Sequence, residues 1–254
     1  MTAILEVEGI KKSFGGLVAL NDLSFAVERG SIHAVIGPNG SGKTTLFNVI
    51  TGILKPDKGR IQFQGAAIHG LPPHTIAHRG VGRTFQTILL FGEMTLTENV
   101  VVGLQCRNAY SLPRILAGVD RRADANMALD ARELLAFVGL EGDGDRVSSN
   151  LAYGEQRRLE IARALATAPS LILLDEPAAG MNPHETVALM EMIRRIRDER
   201  DITVIIIEHD MRLVTNLAEC ITVLDHGTKI AEGPPRQVMS DPKVIEAYLG
   251  SAER

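Results

Sequence analysis

Lys43 and Thr44 stand near the end of the stretch GPNGSGKTT, Gly37 to Thr45, and this stretch carries the first chemistry in the chain. Gly37, Gly42, Lys43 and Thr44 stand at the spacing G-x-x-x-x-G-K-[ST] of a phosphate-binding loop. Small residues let the backbone of Gly37, Pro38, Asn39, Gly40, Ser41 and Gly42 wrap close to a phosphate, with successive N–H groups aimed at the anion. The helix expected from Thr45 adds the positive end of its dipole. Lys43 is placed to reach the β- and γ-phosphates, and the Thr44 hydroxyl to bind Mg²⁺. A plain glycine-rich turn from strand to helix would look similar, and the motif alone leaves open a kinase, a GTPase or a motor ATPase. Asp175-Glu176 supplies the second chemistry. It follows the apolar run Leu171 to Leu174, and ligands of open α/β sheets sit beyond the carboxyl ends of strands. Asp175 is a candidate Mg²⁺ ligand, directly or through water, because Mg²⁺ takes few carboxylates beside phosphate and water oxygens. Glu176 is a candidate general base for an attacking water. The competing reading is an acidic strand end that caps the next helix.

These residues need a scaffold that brings strand ends and helix starts together. Ile4 to Val7, Val18 to Leu20 and Leu23 to Val27 read as short strands, broken at Gly15-Gly16 and Asn21-Asp22. Ile32 to Ile36, Leu171 to Leu174 and Thr203 to Ile207 are continuous apolar runs, the pattern of buried parallel strands. Arg60 to Gln64 alternates as a half-buried strand does. Ile221 to Leu224 and Thr228 to Ala231 flank Asp225-His226-Gly227 as a hairpin. From about 87 to 168 the pattern turns helical: Met127, Ala131, Leu134, Leu135 and Val138 share one helix face, and Glu155 to Ala168 forms a second helix stopped by Pro169. His184 to Arg197, Arg212 to Ala218 and Pro242 to Leu249 read as further helices. Strands alternating with helices imply an α/β protein with a mainly parallel sheet covered on both faces. The expected organisation is one domain over 1–254. Its α/β core spans 1–86 and 169–235 with an antiparallel β part at the start. A helical subdomain at 87–168 is inserted, and a helical tail follows at 236–254.

Composition narrows the class. At 254 residues with a net charge of −4, nothing suggests a nucleic-acid surface. Cys106 and Cys220 lack metal-like spacing and read as reduced thiols. No stretch approaches roughly 18 uninterrupted apolar residues, and no signal peptide is visible, so a membrane role is expected to come through a partner. Phe14, just before Gly15-Gly16, suits a core aromatic and a ring stacked on a base equally well. Leu151 to Gln156, LAYGEQ, precedes a helix whose unpaired N–H groups would favour an anion.

The phosphate loop, LAYGEQRRLEIARAL (Leu151 to Leu165), LILLDEP (Leu171 to Pro177) and IIIEHD (Ile205 to Asp210) follow one another in the order that marks ABC ATPases. The chain resembles an ABC transporter ATP-binding subunit over essentially its whole length. The resemblance implies a RecA-like phosphate-loop NTPase fold, ATP and Mg²⁺ as ligands, and ATP hydrolysis. It makes Gln86 the glutamine that contacts Mg²⁺ and the attacking water, and His209 the switch histidine at the γ-phosphate. It favours the adenine-stacking role for Phe14, where the family often has Tyr. Ala152, Tyr153, Gly154 and Glu155 become part of the signature that faces the nucleotide of a second subunit in a head-to-tail dimer. Ala179 to Asn182 matches the loop between the two opposed sites, with Asn182 where Asp is usual. Ala152 stands where the signature usually has Ser, so a hydroxyl donor to the opposite γ-phosphate is missing.

Within the family, GRTFQ with MTLTENVVVGL, the signature variant and PAAGMNPHET resemble the branched-chain amino acid importer ATPases. That branch implies a second, different ATPase subunit, two membrane permeases, a periplasmic binding protein and a place on the cytoplasmic face of the inner membrane. Its relatives that move urea, short amides or other amino acids are the alternative. ABC ATPases of DNA repair or translation tend to carry long coiled-coil insertions or paired ATPase domains, which this sequence lacks. A non-hydrolysing regulatory role is opposed by Glu176 and His209.

Overall fold

A computed structural model describes residues 2–106 and 120–249. Two long strands open the chain, β1 (Ala3–Phe14) and β2 (Leu17–Glu28), followed by β3 (Ile32–Ile36) and α1 (Lys43–Ile50). β4 (Lys58–Phe63), β5 (Ala66–Ala67), α2 (Pro73–His78) and β6 (Val81–Arg83) come next. The helices α3 (Leu96–Gln105), α4 (Asp120–Phe137) and α5 (Tyr153–Ala166) precede β7 (Leu171–Asp175). α6 (Pro183–Arg200), β8 (Thr203–Ile207), α7 (Met211–Leu217), β9 (Cys220–Asp225), β10 (Thr228–Gly233), α8 (Pro235–Met239) and α9 (Pro242–Leu249) complete the order.

Among the described residues the strands form two sheets. An antiparallel sheet runs β2-β1-β4-β5, and a six-stranded sheet runs β10-β9-β3-β8-β7-β6. In the larger sheet β3 pairs in parallel with β8 and β9, and β7 with β6 and β8, while β10 returns antiparallel on β9. Every residue of β3, β7 and β8 is buried, which is why these strands read as unbroken apolar runs. Alternation divides the core by sheet face. Ala34, Ile36, Ile172, Leu174, Val204 and Ile206 pack with the helices. Val35, Leu171, Leu173, Ile205 and Ile207 pack toward β1, β2 and α1.

The short strands expected at the N-terminus are two twelve-residue strands. Gly15-Gly16 is the turn between them, but Asn21-Asp22 is not a break. Asp22 takes φ 57° and Gly9 φ 59°, and the pairing slips in register from Val7 to Ser13. Bulges absorb an extra residue without ending a strand. Residues 87–95 are not helical; the helix begins at Leu96, where Thr95 and Glu98 form a reciprocal capping box. The three-residue edge strand β6 and the short helix α8 carry too little pattern to be read from sequence.

Candidate functional site

β3 ends at Ile36, and the chain turns into α1 through Gly37 to Gly42. Glycine is required where the loop bends. Gly42 sits at φ 103°, and a Cβ there would lie 2.5 Å from the Ala19 carbonyl oxygen. The hairpin after β9 braces the loop from behind, with the Gly227 N–H donating to the Ser41 carbonyl at 3.0 Å. The first turn of α1 holds no acidic side chain, so nothing within the helix neutralises its positive end. Lys43 folds back over the loop and donates to the Gly37 carbonyl at 2.7 Å and the Pro38 carbonyl at 2.9 Å. Burial pushes the Lys43 amine down, and the nearby Glu176 and Asp175 carboxylates oppose that shift.

A cleft of about 420 Å³ opens in front of this loop. Phe14, Leu17, Asn39, Gly40, Gly42, Lys43, Thr44, Thr45, Gln86 and Glu176 line it. The Gln86 amide donates to the Glu176 carboxylate at 3.0 Å, so these two side chains meet across 90 residues of sequence. Phe14 is 46% exposed, a ring unused by the core, with the Lys12 ammonium 5.5 Å from its centroid. Glu176 has φ 47°, and its N–H donates to the Ile207 carbonyl at 2.9 Å, which turns its side chain out of the strand line.

Asp175 ends β7 and is buried. Arg83 on β6 bonds its Oδ2 at 3.1 Å, and the same guanidinium reaches Asn48 at 2.8 Å and Thr51 at 3.0 Å. Burial pushes the Asp175 carboxyl up, and Arg83 pulls it back. The other oxygen, Oδ1, is buried without a hydrogen-bond partner. A buried orphan carboxylate oxygen suits a hard divalent cation; Thr44 and Gln86 line the cleft, and Asp175 lies one residue before Glu176, which also lines it.

Two expected groups lie elsewhere. His209 is 65% exposed and lines a neighbouring cavity with Gly37, Pro38, Asn39, Ser41, Asp225 and Tyr248, and not the cleft that holds Gln86 and Glu176. Ala152, Tyr153, Gly154 and Glu155 start α5 and do not line the cleft. There the Glu155 carboxylate takes the Ala152 N–H at 2.9 Å, and Arg146 approaches it at 3.4 Å. Gly154 lies against α6: a Cβ would meet a Glu185 oxygen at 3.0 Å. Asn182, in place of the usual Asp, caps α6 well, exchanging bonds with Glu185 at 3.0 and 2.9 Å.

Sequence reading passed over Arg83, Glu208, Arg157 and Glu160. Buried Glu208 accepts from the Ala178 N–H at 2.9 Å and the His209 N–H at 3.1 Å, and so fixes the backbone that carries His209. The signal available was a charge inside an apolar stretch: Glu208 directly after β8, and Arg157 and Glu160 three apart on a helix whose neighbours Leu159, Ile161 and Ala162 are core.

A family model described as "ABC transporter" matches residues 20–179, and one described as "Branched-chain amino acid ATP-binding cassette transporter" matches 228–254. The chain belongs to the ABC transporter family. It is 45% identical over 254 residues to the high-affinity branched-chain amino acid transport ATP-binding protein BraF of Pseudomonas aeruginosa, with 98% of each chain covered. It is 44% identical over 251 residues to LivG of Escherichia coli, again with 98% of each covered. An ATP-binding cassette of an ABC transporter in its ADP conformation superposes with a TM-score of 0.87 at 38% identity, covering 98% of this chain and 100% of that one. As an ABC transporter ATPase the chain binds and hydrolyses ATP, and its fold is the α/β cassette expected from the motifs. No helix among the described residues is long and apolar enough to cross a membrane.

Proposed function

We propose that this chain is the ATPase that drives a branched-chain amino acid importer, and that hydrolysis occurs in the cleft between Lys43 and Glu176. The full-length likeness to BraF and LivG carries the choice of solute. The contact of Gln86 with Glu176 at the mouth of the phosphate loop carries the assignment of roles. The adenine stacks on Phe14, and the phosphates lie on the N–H groups of Gly40 to Thr45. Lys43 leaves its carbonyl partners for the β- and γ-phosphates. Thr44, Gln86 and the free oxygen of Asp175 would hold Mg²⁺, which supplies charge neutralisation on the phosphate oxygens. Gln86 orients a water and Glu176 accepts its proton. The water oxygen then bonds to the γ-phosphorus, the bond to the β-phosphate oxygen breaks, and ADP and phosphate leave. Positioning and electrostatics dominate such transfers.

In this reading the signature Ala152 to Glu155 covers the nucleotide of a second ATPase subunit, a different chain, in a head-to-tail dimer. This chain's own nucleotide is covered in turn by the partner. Closure swings His209 to the γ-phosphate. The complex sits on the cytoplasmic face of the membrane with two permeases fed by a periplasmic binding protein. An apolar groove of about 460 Å³ supports a docking place for a permease. Ile53, Phe85, Leu89, Phe91, Val102 and the exposed Cys106 line it, directly beside the Gln86 segment.

The test is reconstitution with the two permeases of a branched-chain amino acid importer. Leucine uptake in vesicles should require ATP and fail with Lys43→Ala. A cross-linker on Cys106 should capture a permease cytoplasmic loop. Uptake of urea or amides in place of leucine would overturn the solute. Capture only from residues 236–249 would overturn the docking place.

A further inference from the structure

The chain changes allegiance between two adjacent residues. Thr84 belongs to the large sheet: its N–H donates to the Leu173 carbonyl at 2.9 Å, and its hydroxyl accepts from the Asp175 N–H at 3.4 Å. Phe85 and Gln86 belong to α5. Arg157 Nη1 donates to the Phe85 carbonyl at 2.6 Å, and Nη2 to the Gln86 carbonyl at 3.0 Å. Glu160 takes the Phe85 N–H at 3.1 Å with one oxygen and Arg157 Nη1 at 2.7 Å with the other. Both polar groups of Phe85 and the carbonyl of Gln86 are therefore held by one turn of one helix. That same helix begins at Tyr153 in the signature. Tyr153 is one turn from Arg157, whose Nη2 lies 3.4 Å from the Tyr153 hydroxyl.

The pair is a poor device for stability alone. Arg157 is 0% and Glu160 1% exposed, and buried ion pairs seldom outperform apolar residues of similar volume. Arg157 Nε is buried with no partner, a further cost. The arrangement provides direction instead. A planar guanidinium fixes two carbonyls and a carboxylate at set angles, which an ammonium cannot.

We propose that Arg157, held by Glu160, is a positioning residue that ties Gln86 to the signature helix. Capture of the partner's nucleotide at Ala152 to Gly154 then holds or shifts the Gln86–Glu176 contact already present in this chain's own cleft. The hinge lies between Thr84 and Phe85, and the helix acts as a lever between two ATP sites. This rests on the head-to-tail dimer proposed above.

The experiment compares Arg157→Lys, Arg157→Met and the double variant Arg157→Met/Glu160→Leu with the unaltered chain in the assembled transporter. The double variant removes both charges together and so keeps a folded form available. ATP turnover against ATP concentration and the thermal midpoint are measured for each. We expect KM for ATP to hold within about two-fold, because the loop and Phe14 bind nucleotide without Gln86. We expect kcat to fall on the order of 10²-fold, the scale of a small misplacement. The steepness of the ATP dependence should relax toward independent sites. A purely structural pair would shift the thermal midpoint and leave kcat per folded molecule and the steepness unchanged, and that result overturns the proposal. Arg157→Lys with unaltered kcat and steepness overturns it as well. Glu176→Gln in the same complex serves as reference: if it stops turnover while the Arg157 variants do nothing, the function stands and the lever does not.

Discussion

The helix at Lys43 and the helix at Tyr153 begin alike and are set in opposite surroundings. Each has small residues at its start, and each offers unpaired N–H groups. At Lys43 the first turn carries no carboxylate, and the helix end opens into a walled cleft with a lysine folded over it. At Tyr153 the first turn carries Glu155, whose carboxylate already takes the Ala152 N–H, and the start does not line that cleft. On the proposed reading the first is a whole anion site and the second half of one, partly neutralised by its own chain. A helix N-terminus therefore becomes a phosphate site only when its own turn leaves it unpaired and something else encloses it.

Four tests break or sharpen this contrast. The largest effect belongs to the whole site. Glu176→Gln should lower turnover about 10²–10⁴-fold, the range of general base catalysis, while leaving ATP binding intact. Single-turnover hydrolysis with bound ATP measures it, and near-normal rates would remove Glu176 from the base role.

Glycine comes next. Gly42→Ala forces a Cβ to 2.5 Å from the rigid Ala19 carbonyl at φ 103°, so ATP affinity should fall at least ten-fold, about 1.4 kcal/mol or more. Gly154→Ala meets only the end of the flexible Glu185 side chain, and ATP binding by the isolated chain should not change. Equal losses in titration calorimetry would contradict the distinction.

The pH dependence of stability sits on the phosphate-loop side too. His33 on β3 is buried, and burial together with Lys229 lowers its imidazole from 6.5 to about 4. Below 6.5 the unfolded chain takes up a proton that the folded chain refuses. Stability is therefore full above 6.5 and lost as pH falls toward 4, by roughly 3 kcal/mol. Urea denaturation at pH 7 and pH 4.5 should show this slope, and His33→Leu should flatten it.

The smallest effects belong to the half site. Ala152→Ser restores a hydroxyl donor, and Glu155→Gln keeps an amide oxygen for the cap while removing a negative charge. Each should strengthen ATP-driven association of the Glu176→Gln chain several-fold in sedimentation, since water partly replaces the missing donor. An unchanged association constant for both would mean that backbone N–H groups already satisfy the opposite phosphate.

What could be read in advance follows the same division. The phosphate loop was legible because its backbone accepts few residue types, and β3, β7 and β8 because strands buried on both faces admit only apolar ones. β1 and β2 were read as fragments because Asn21-Asp22, a bulge in the structure, resembles a turn in sequence. The place of His209 beside Tyr248, outside the cleft, was not legible, since it depends on how α9 packs behind the loop. Arg83 and Arg157 escaped notice for a related reason. A buried arginine looks like surface charge until the carboxylate or carbonyls that hold it are in view, and those lie 92 and 72 residues away.

The central position of β3 has a consequence for how the chain is made. Gly30 bonds Thr203, 173 residues further on, Ile32 bonds Glu219 across 187, and His33 meets Thr222 across 189. The strand that aims the phosphate loop therefore waits on the ribosome, unpaired on both edges, until most of the polypeptide has emerged. Closing loops of that length is slow, and an apolar strand with open edges invites the wrong neighbour in the meantime. ATP cannot shelter the nascent chain, because its binding loop gains its supports only near the end of synthesis. Sequences that slow elongation before residue 220 would lengthen this exposed interval, and holdase chaperones would find their target in Ile32 to Ile36.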